Sequence, residues 1–227
     1  VSELAFTILA TPNSVMRACV EKLEAKKNTD HSYGSIKDTA LAVIALDHAG
    51  KDTKQSQAWL ESKKINPTDI TWFLQEDSDG ETECKFDYGD VTYDVTIDEN
   101  KKISADAGSC LTRAQSNFWY EINPSCFNEL FRINCNKDFI TSLLYKSRLS
   151  STIFVLEDTK TSPAFGTTEH KVNSKCLGDA GSCEYEGTAW GAFALQVTGN
   201  NVDEYVPYLI SIACLLYTSP SPRDPSI

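Results

Sequence analysis

Two stretches of the chain, far apart in sequence, share one pattern of small and apolar residues. Self-similarity of this kind constrains architecture before any single motif does. The first runs from Lys37 to Gly50 (KDTALAVIALDHAG) and the second from Glu186 to Gly199 (EGTAWGAFALQVTG). Thr39 aligns with Thr188, Ala40 with Ala189, Ala45 with Ala194, Leu46 with Leu195 and Gly50 with Gly199. An aromatic–apolar pair follows each glycine at the same spacing, Trp59-Leu60 and Tyr208-Leu209. Thr39 through Leu46 is apolar almost all round, as a helix buried between neighbours must be. Gly50 and Gly199 stand where a helix ends in a left-handed residue. Asp52-Thr53 then offers an N-cap, and Gln55 to Lys63 reads as an amphipathic outer helix. Leu4 to Ala10 and Val15 to Lys27 read as two further helices.

Between the two units the period changes. Val91, Tyr93, Val95 and Ile97 alternate with polar residues, the period of a half-buried strand. Gly89-Asp90 and Asp98 to Lys101 supply hairpin turns, and Asn117 to Ile122 and Phe131 to Ile133 read as further strands. Phe139 to Leu149 returns to helix-like spacing through Ile140, Leu143 and Leu144, and Ser150 to Ser174 reads as a Thr/Ser-rich surface excursion. The expected organisation is helices over 1–65, an inserted β-rich subdomain over 66–137, a helix plus surface excursion over 138–183, and helices again over 184–213.

Cysteine usage bears on location. Apart from Cys214, six of the remaining seven cysteines fall in neighbouring pairs: Cys84 and Cys110, Cys126 and Cys135, Cys176 and Cys183. No CxxC or HxxxH spacing accompanies them, which disfavours a zinc ribbon or finger. The clustering predicts disulfides in those three pairings and an extracellular or cell-surface location, with Cys19 left over. The alternative is a set of buried, reduced thiols. Spacing does not fix connectivity, since six cysteines permit about fifteen pairings. A net charge of −11 and a pI near 4.7 disfavour nucleic acid as a partner. No run of about 18 apolar residues is present to span a membrane.

The helix units resemble the alpha/alpha toroid group, which includes terpene cyclases, protein prenyltransferases and alpha-2-macroglobulin thioester domains. In that group hairpins bearing T-A-x-x-x-x-A-L and a later W-L close into a double-layered ring. Within it, the similarity is to prenyltransferase/squalene-oxidase repeat proteins of uncultured archaea, over 1–65 and 184–213. The resemblance implies a mainly α toroid fragment carrying a disulfide-stapled β-hairpin insertion. No activity of the group carries over. The D-x-D-D acids of a cyclase and the G-C-G-E-Q run of a thioester domain are absent, and His31, His48 and His170 lack the cysteine companion of a prenyltransferase zinc site. Cys214 to Asp224 resembles a translated sequencing adapter. This predicts that 214–227 has no native structure, that native sequence ends near Ala213, and that the chain is an open fragment of a longer gene.

Asp47-His48 are adjacent on a helix and point about 100° apart, so a solvated helix end is favoured over catalysis. The run Glu76 to Glu81 collects carboxylates around Gly80, but its spacing departs from a calcium loop. A solvated turn is favoured there. Phe118, Trp119 and Tyr120, with Phe127 and Phe131, could line a carbohydrate- or peptide-binding surface, but core packing is favoured, since a disulfide-braced insertion needs some core. The function expected is a non-catalytic binding or structural domain with no cofactor and an unknown protein or glycan partner. The alternative is a toroid enzyme, polyene- or polysaccharide-processing, whose acids lie in repeats outside this sequence.

Overall fold

The computed structural model describes residues 1–218, and the side chains of these except at 13–15 and 214–218. Its helices are α1 (Ser2–Ala10), α2 (Asn13–Glu24), α3 (Ile36–His48), α4 (Lys54–Ser62), α5 (Tyr185–Val197) and α6 (Val206–Thr218). Its strands begin with β1 (Lys64–Ile65), β2 (Ile70–Ser78), β3 (Thr82–Tyr88), β4 (Val91–Ile97), β5 (Leu111–Ala114), β6 (Trp119–Ile122) and β7 (Phe131–Cys135). They continue with β8 (Phe139–Ser147), β9 (Phe154–Val155), β10 (Lys160–Ser162), β11 (Thr167–His170), β12 (Cys176–Asp179) and β13 (Ser182–Cys183). Two compact units result, Val1–Pro67 with Ser174–Cys214, and the intervening Thr68–Asn173.

In the helical unit α3 is buried on all sides because it has neighbours on all sides. Ile36, Ala40, Val43 and Ile44 pack with Ala192, Ala194 and Leu195 of α5. Leu41, Ala42, Ala45 and Leu46 pack with Ala5 and Ile8 of α1 and Val20 and Leu23 of α2. The two repeat segments end alike. Gly50 has φ +72° and Gly199 φ +86°. The N–H of Lys51 donates to Leu46 O at 2.9 Å and that of Asn200 to Leu195 O at 2.9 Å, the six-to-one bond of a Schellman cap. Each repeat threonine also holds the segment before its helix: Thr39 Oγ1 accepts from Tyr33 N–H at 2.9 Å, and Thr188 Oγ1 from Leu177 N–H at 2.9 Å. Aligned residues even meet, since Lys37 Nζ lies 2.6 Å from Glu186 Oε1. A small antiparallel sheet, β1-β12-β13, completes the unit, with the Cys176–Cys183 disulfide joining β12 to β13.

The intervening unit is all β among its regular elements, apart from two single 3-10 turns. Six strands form one antiparallel sheet in the order β10-β8-β2-β6-β5, with β9 also paired to β8. Four form the other, β11-β7-β3-β4. Alternation sets the faces. From β2, Trp72, Leu74, Glu76 and Ser78 turn inward with Tyr120 and Ile122 of β6; from the other sheet come Cys84, Phe86, Phe131 and Ile133, all buried. The inward faces meet: the Phe86 and Tyr120 rings lie edge-to-face at 5.1 Å between centroids, and Thr141 Oγ1 of β8 donates to Thr168 Oγ1 of β11 at 2.8 Å.

The alpha/alpha toroid is overturned. The protein is 33% helical and 30% strand, with three antiparallel sheets, an α+β architecture. Buried helices of small and apolar residues form wherever helices pack closely, so the shared pattern defined two hairpins but not a ring. The toroid premise of the enzyme alternative falls with it. Phe139 to Leu149 is not a helix: β8 is a strand lying between β2 and β10, and Leu143, Leu144 and Tyr145 are buried in succession, which hides the two-residue period. The stretch from Ser150 to Ser174 contributes β9, β10 and β11 to the sheets. Two expected disulfide pairings are also replaced. Cys84 bonds Cys135, its direct partner in the β3–β7 register, and Cys110 bonds Cys126. The β5–β6 hairpin, pairing Leu111 with Ile122, places Cys110 and Cys126 together at its open end. Cys19 is free. The adapter-like segment begins within α6, and 219–227 lie outside the described residues. No helix among the described residues is long and apolar enough to cross a membrane.

Candidate functional site

The outward face of the six-stranded sheet carries an aromatic group that the core does not consume. Phe73 and Gln75 of β2 point outward by alternation, and Trp119 does so on β6. Phe73 forms a floor: it is buried, with the Trp119 ring 5.7 Å away between centroids and Lys146 Nζ 5.8 Å from its ring centre. Trp119 is half-buried above it and Phe118 is 40% exposed. Together with Gln75, Glu76, Asp77, Lys101 and Gln115, these two aromatics line a concavity of about 530 Å³.

The turn that delivers them is under conformational strain. Gln115, Ser116 and Asn117 have φ of +51°, +60° and +71°, three consecutive non-glycine residues in the left-handed region. Each such residue costs on the order of 1 kcal/mol or more. A 3-10 turn closed by Phe118 N–H to Gln115 O, and the Ile103 N–H donating to Asn117 O at 2.9 Å, hold it in place. On the far wall Lys101 Nζ lies 2.9 Å from Asp77 Oδ1 and also donates to Ser78 O.

The three residues singled out in the sequence therefore divide. Phe118 and Trp119 reach the surface. Tyr120 does not: it is 1% exposed, its hydroxyl donates to Ala105 O at 2.7 Å, and burial raises its pKa. Phe127 and Phe131 are core. The acidic run splits by strand parity and by lysine contacts. Asp77 meets Lys101, while Asp79 O accepts from Lys137 at 3.1 Å in the turn at Gly80. Asp47 and His48 are exposed at the end of α3.

Glu76, which also lines the concavity, turns inward as a buried polar group that the sequence left in a solvated acidic run. Glu76 is 5% exposed, and burial pushes its carboxyl up to about 7. Its Oε2 has no hydrogen-bond partner. Its Oε1 lies 3.9 Å from Cys135 Sγ, which carries no proton because it is in a disulfide. Nearby in register, Thr141 of β8 pairs with Glu76. Thr141 Oγ1 lies 2.7 Å from His170 Nε2; His170 is 2% exposed, and burial pushes it down to about 4. Period-two alternation along β2 was the one sequence signal that could have placed Glu76 inside. His170, in a Thr-rich stretch, had none. The three disulfides are consistent with an oxidising environment. Comparison of the chain with protein-family models, curated proteins and solved structures gives no significant match.

Proposed function

We propose that the protein is a non-catalytic binding domain, secreted or held at the cell surface, whose β unit binds a glycan at the Phe118–Trp119 concavity. The observation that carries this reading is the pair of aromatic rings presented by a strained, hydrogen-bonded turn beside amide and carboxylate side chains. A sugar ring offers an apolar C–H face to an aromatic surface and hydroxyls to polar side chains, and Trp119, Gln75, Gln115 and Asp77 supply both kinds of contact. Strain of this sort persists only where the surroundings over-determine it, and it concentrates at binding sites. The concavity's volume of about 530 Å³ falls within the roughly 300–1,000 Å³ of small-molecule sites, a size that suits a short oligosaccharide. The three disulfides support export.

Isothermal titration against a panel of soluble oligosaccharides tests the reading. At least one is expected to bind with 1:1 stoichiometry, and Trp119→Ala to weaken it about tenfold or more, in line with loss of a buried aromatic anchor. Binding that is unchanged in Trp119→Ala, or absent across neutral and acidic oligosaccharides, would overturn it.

A further inference from the structure

Glu76 is a buried carboxyl with its Oε2 lacking a hydrogen-bond partner and its Oε1 3.9 Å from a disulfide sulfur, only partly offset by the Ser78 hydroxyl and the Lys101 charge nearby. Unpaired buried acids are costly. A carboxylate oxygen of Glu76 and the sulfurs of Cys84 and Cys135 lie within 4.8 Å of one another, all three residues buried. The two sulfurs come from directly paired positions of β3 and β7, and the carboxylate from β2 in the facing sheet.

We propose that reduction of Cys84–Cys135 turns this cluster into a site for a borderline-soft divalent cation such as zinc, with Cys84, Cys135 and Glu76 as ligands. A dithiol supplies the two electrons: its two sulfurs form a disulfide as the Cys84–Cys135 bond breaks, and its two protons pass to the cysteines. The cation then displaces those thiol protons to solvent, together with the Glu76 proton where that acid is neutral. Zinc binds thiolate sulfur at about 2.3 Å and carboxylate oxygen at about 2.0–2.2 Å in a tetrahedron, which sets its ligand atoms roughly 3.5–4 Å apart. Glu76 Oε1 already stands 3.9 Å from Cys135 Sγ; once their bond is broken, the two sulfurs must separate to a similar spacing. The fourth position falls to water or to a further donor. The consequence is an exchange of braces: the disulfide ties β3 to β7 within one sheet, whereas the cation would tie that sheet to β2 of the other.

Cobalt(II) reports thiolate ligation directly through its sulfur-to-metal charge-transfer absorption in the near ultraviolet. The full chain is refolded with dithiothreitol, freed of it under argon and titrated with cobalt(II), alongside the oxidised protein. The reduced protein is expected to bind one equivalent with charge-transfer bands and a native near-ultraviolet circular dichroism spectrum, and the oxidised protein none. Glu76→Gln should weaken affinity about tenfold or more, as loss of a ligand exceeds the effect of losing its supporting contacts. Cys84→Ser/Cys135→Ser should abolish the bands. Bands that persist in that double variant would place the metal on other cysteines and refute the site. Unchanged affinity in Glu76→Gln, or cobalt bound only by protein without a native spectrum, would equally refute it.

Discussion

Glu76 and His170 are buried residues whose titrations oppose one another. Folding raises Glu76 from 4.5 to about 7, so between those values the native state holds a proton that the unfolded chain has released. Stability from this group is full at low pH and declines as pH rises through that window. Folding lowers His170 from 6.5 to about 4, so the unfolded chain holds the extra proton there, and stability declines as pH falls. Each is worth about 3 kcal/mol at roughly 1.4 kcal/mol per pK unit, and the two nearly cancel between pH 4.5 and 6.5. Urea unfolding across pH should resolve them. Relative to wild type, Glu76→Gln should gain about 3 kcal/mol on going from pH 4.5 to 7, and His170→Gln a similar amount on going from pH 6.5 to 4. Parallel curves for wild type and both variants would show that neither group titrates as its burial requires. The sequence hid both residues, because an acid inside an acidic run reads as solvated until strand parity is applied to it.

At the scale of elements, helices were more legible than central strands. The Thr-to-Gly pattern marked α3 and α5 because small residues, a capping glycine and a following aromatic are each tied to one position of a helix hairpin. A methyl group added at Gly50 or Gly199 would meet no atom within 4 Å, so only the backbone conformation resists substitution there. Gly50→Ala and Gly199→Ala should each cost about 1 kcal/mol in denaturant unfolding. Unchanged stability in both would contradict the shared left-handed cap. β4 was legible by alternation because its outer face is exposed. β8 was not, since Leu143, Leu144 and Tyr145 are buried together, and three successive apolar residues satisfy a helix template as readily as a strand. Trp119 and Phe118 were visible as an aromatic cluster, but the separation of Trp119 from the buried Tyr120 follows from the opposite faces of β6 they occupy, while Phe118 stands before the strand, at the end of the 3-10 turn.

For the whole molecule, the sequence clustering of cysteines and their spatial pairing part company at the β unit. Neighbours in sequence suggested Cys84–Cys110 and Cys126–Cys135, whereas the sheet pairs β3 with β7, a strand separated from it by β4, β5 and β6. The disulfide Cys84–Cys135 closes a loop of 51 residues, worth about 4 kcal/mol in the chain-entropy description, against about 3 kcal/mol for the 16-residue loop of Cys110–Cys126. The same topology replaces the toroid, because strands that cross between two sheets make a unit with its own core rather than an appendage to a helix ring. Non-reducing tryptic mapping of the oxidised protein tests this account most directly, since cleavage after Lys64, Lys85, Lys102, Arg113, Arg132 and Lys137 puts Cys84, Cys110, Cys126 and Cys135 on four different peptides. The two-sheet fold predicts that peptide 65–85 is linked to 133–137 and 103–113 to 114–132. Linkage of 65–85 to 103–113 and of 114–132 to 133–137, or four unlinked peptides, would contradict it.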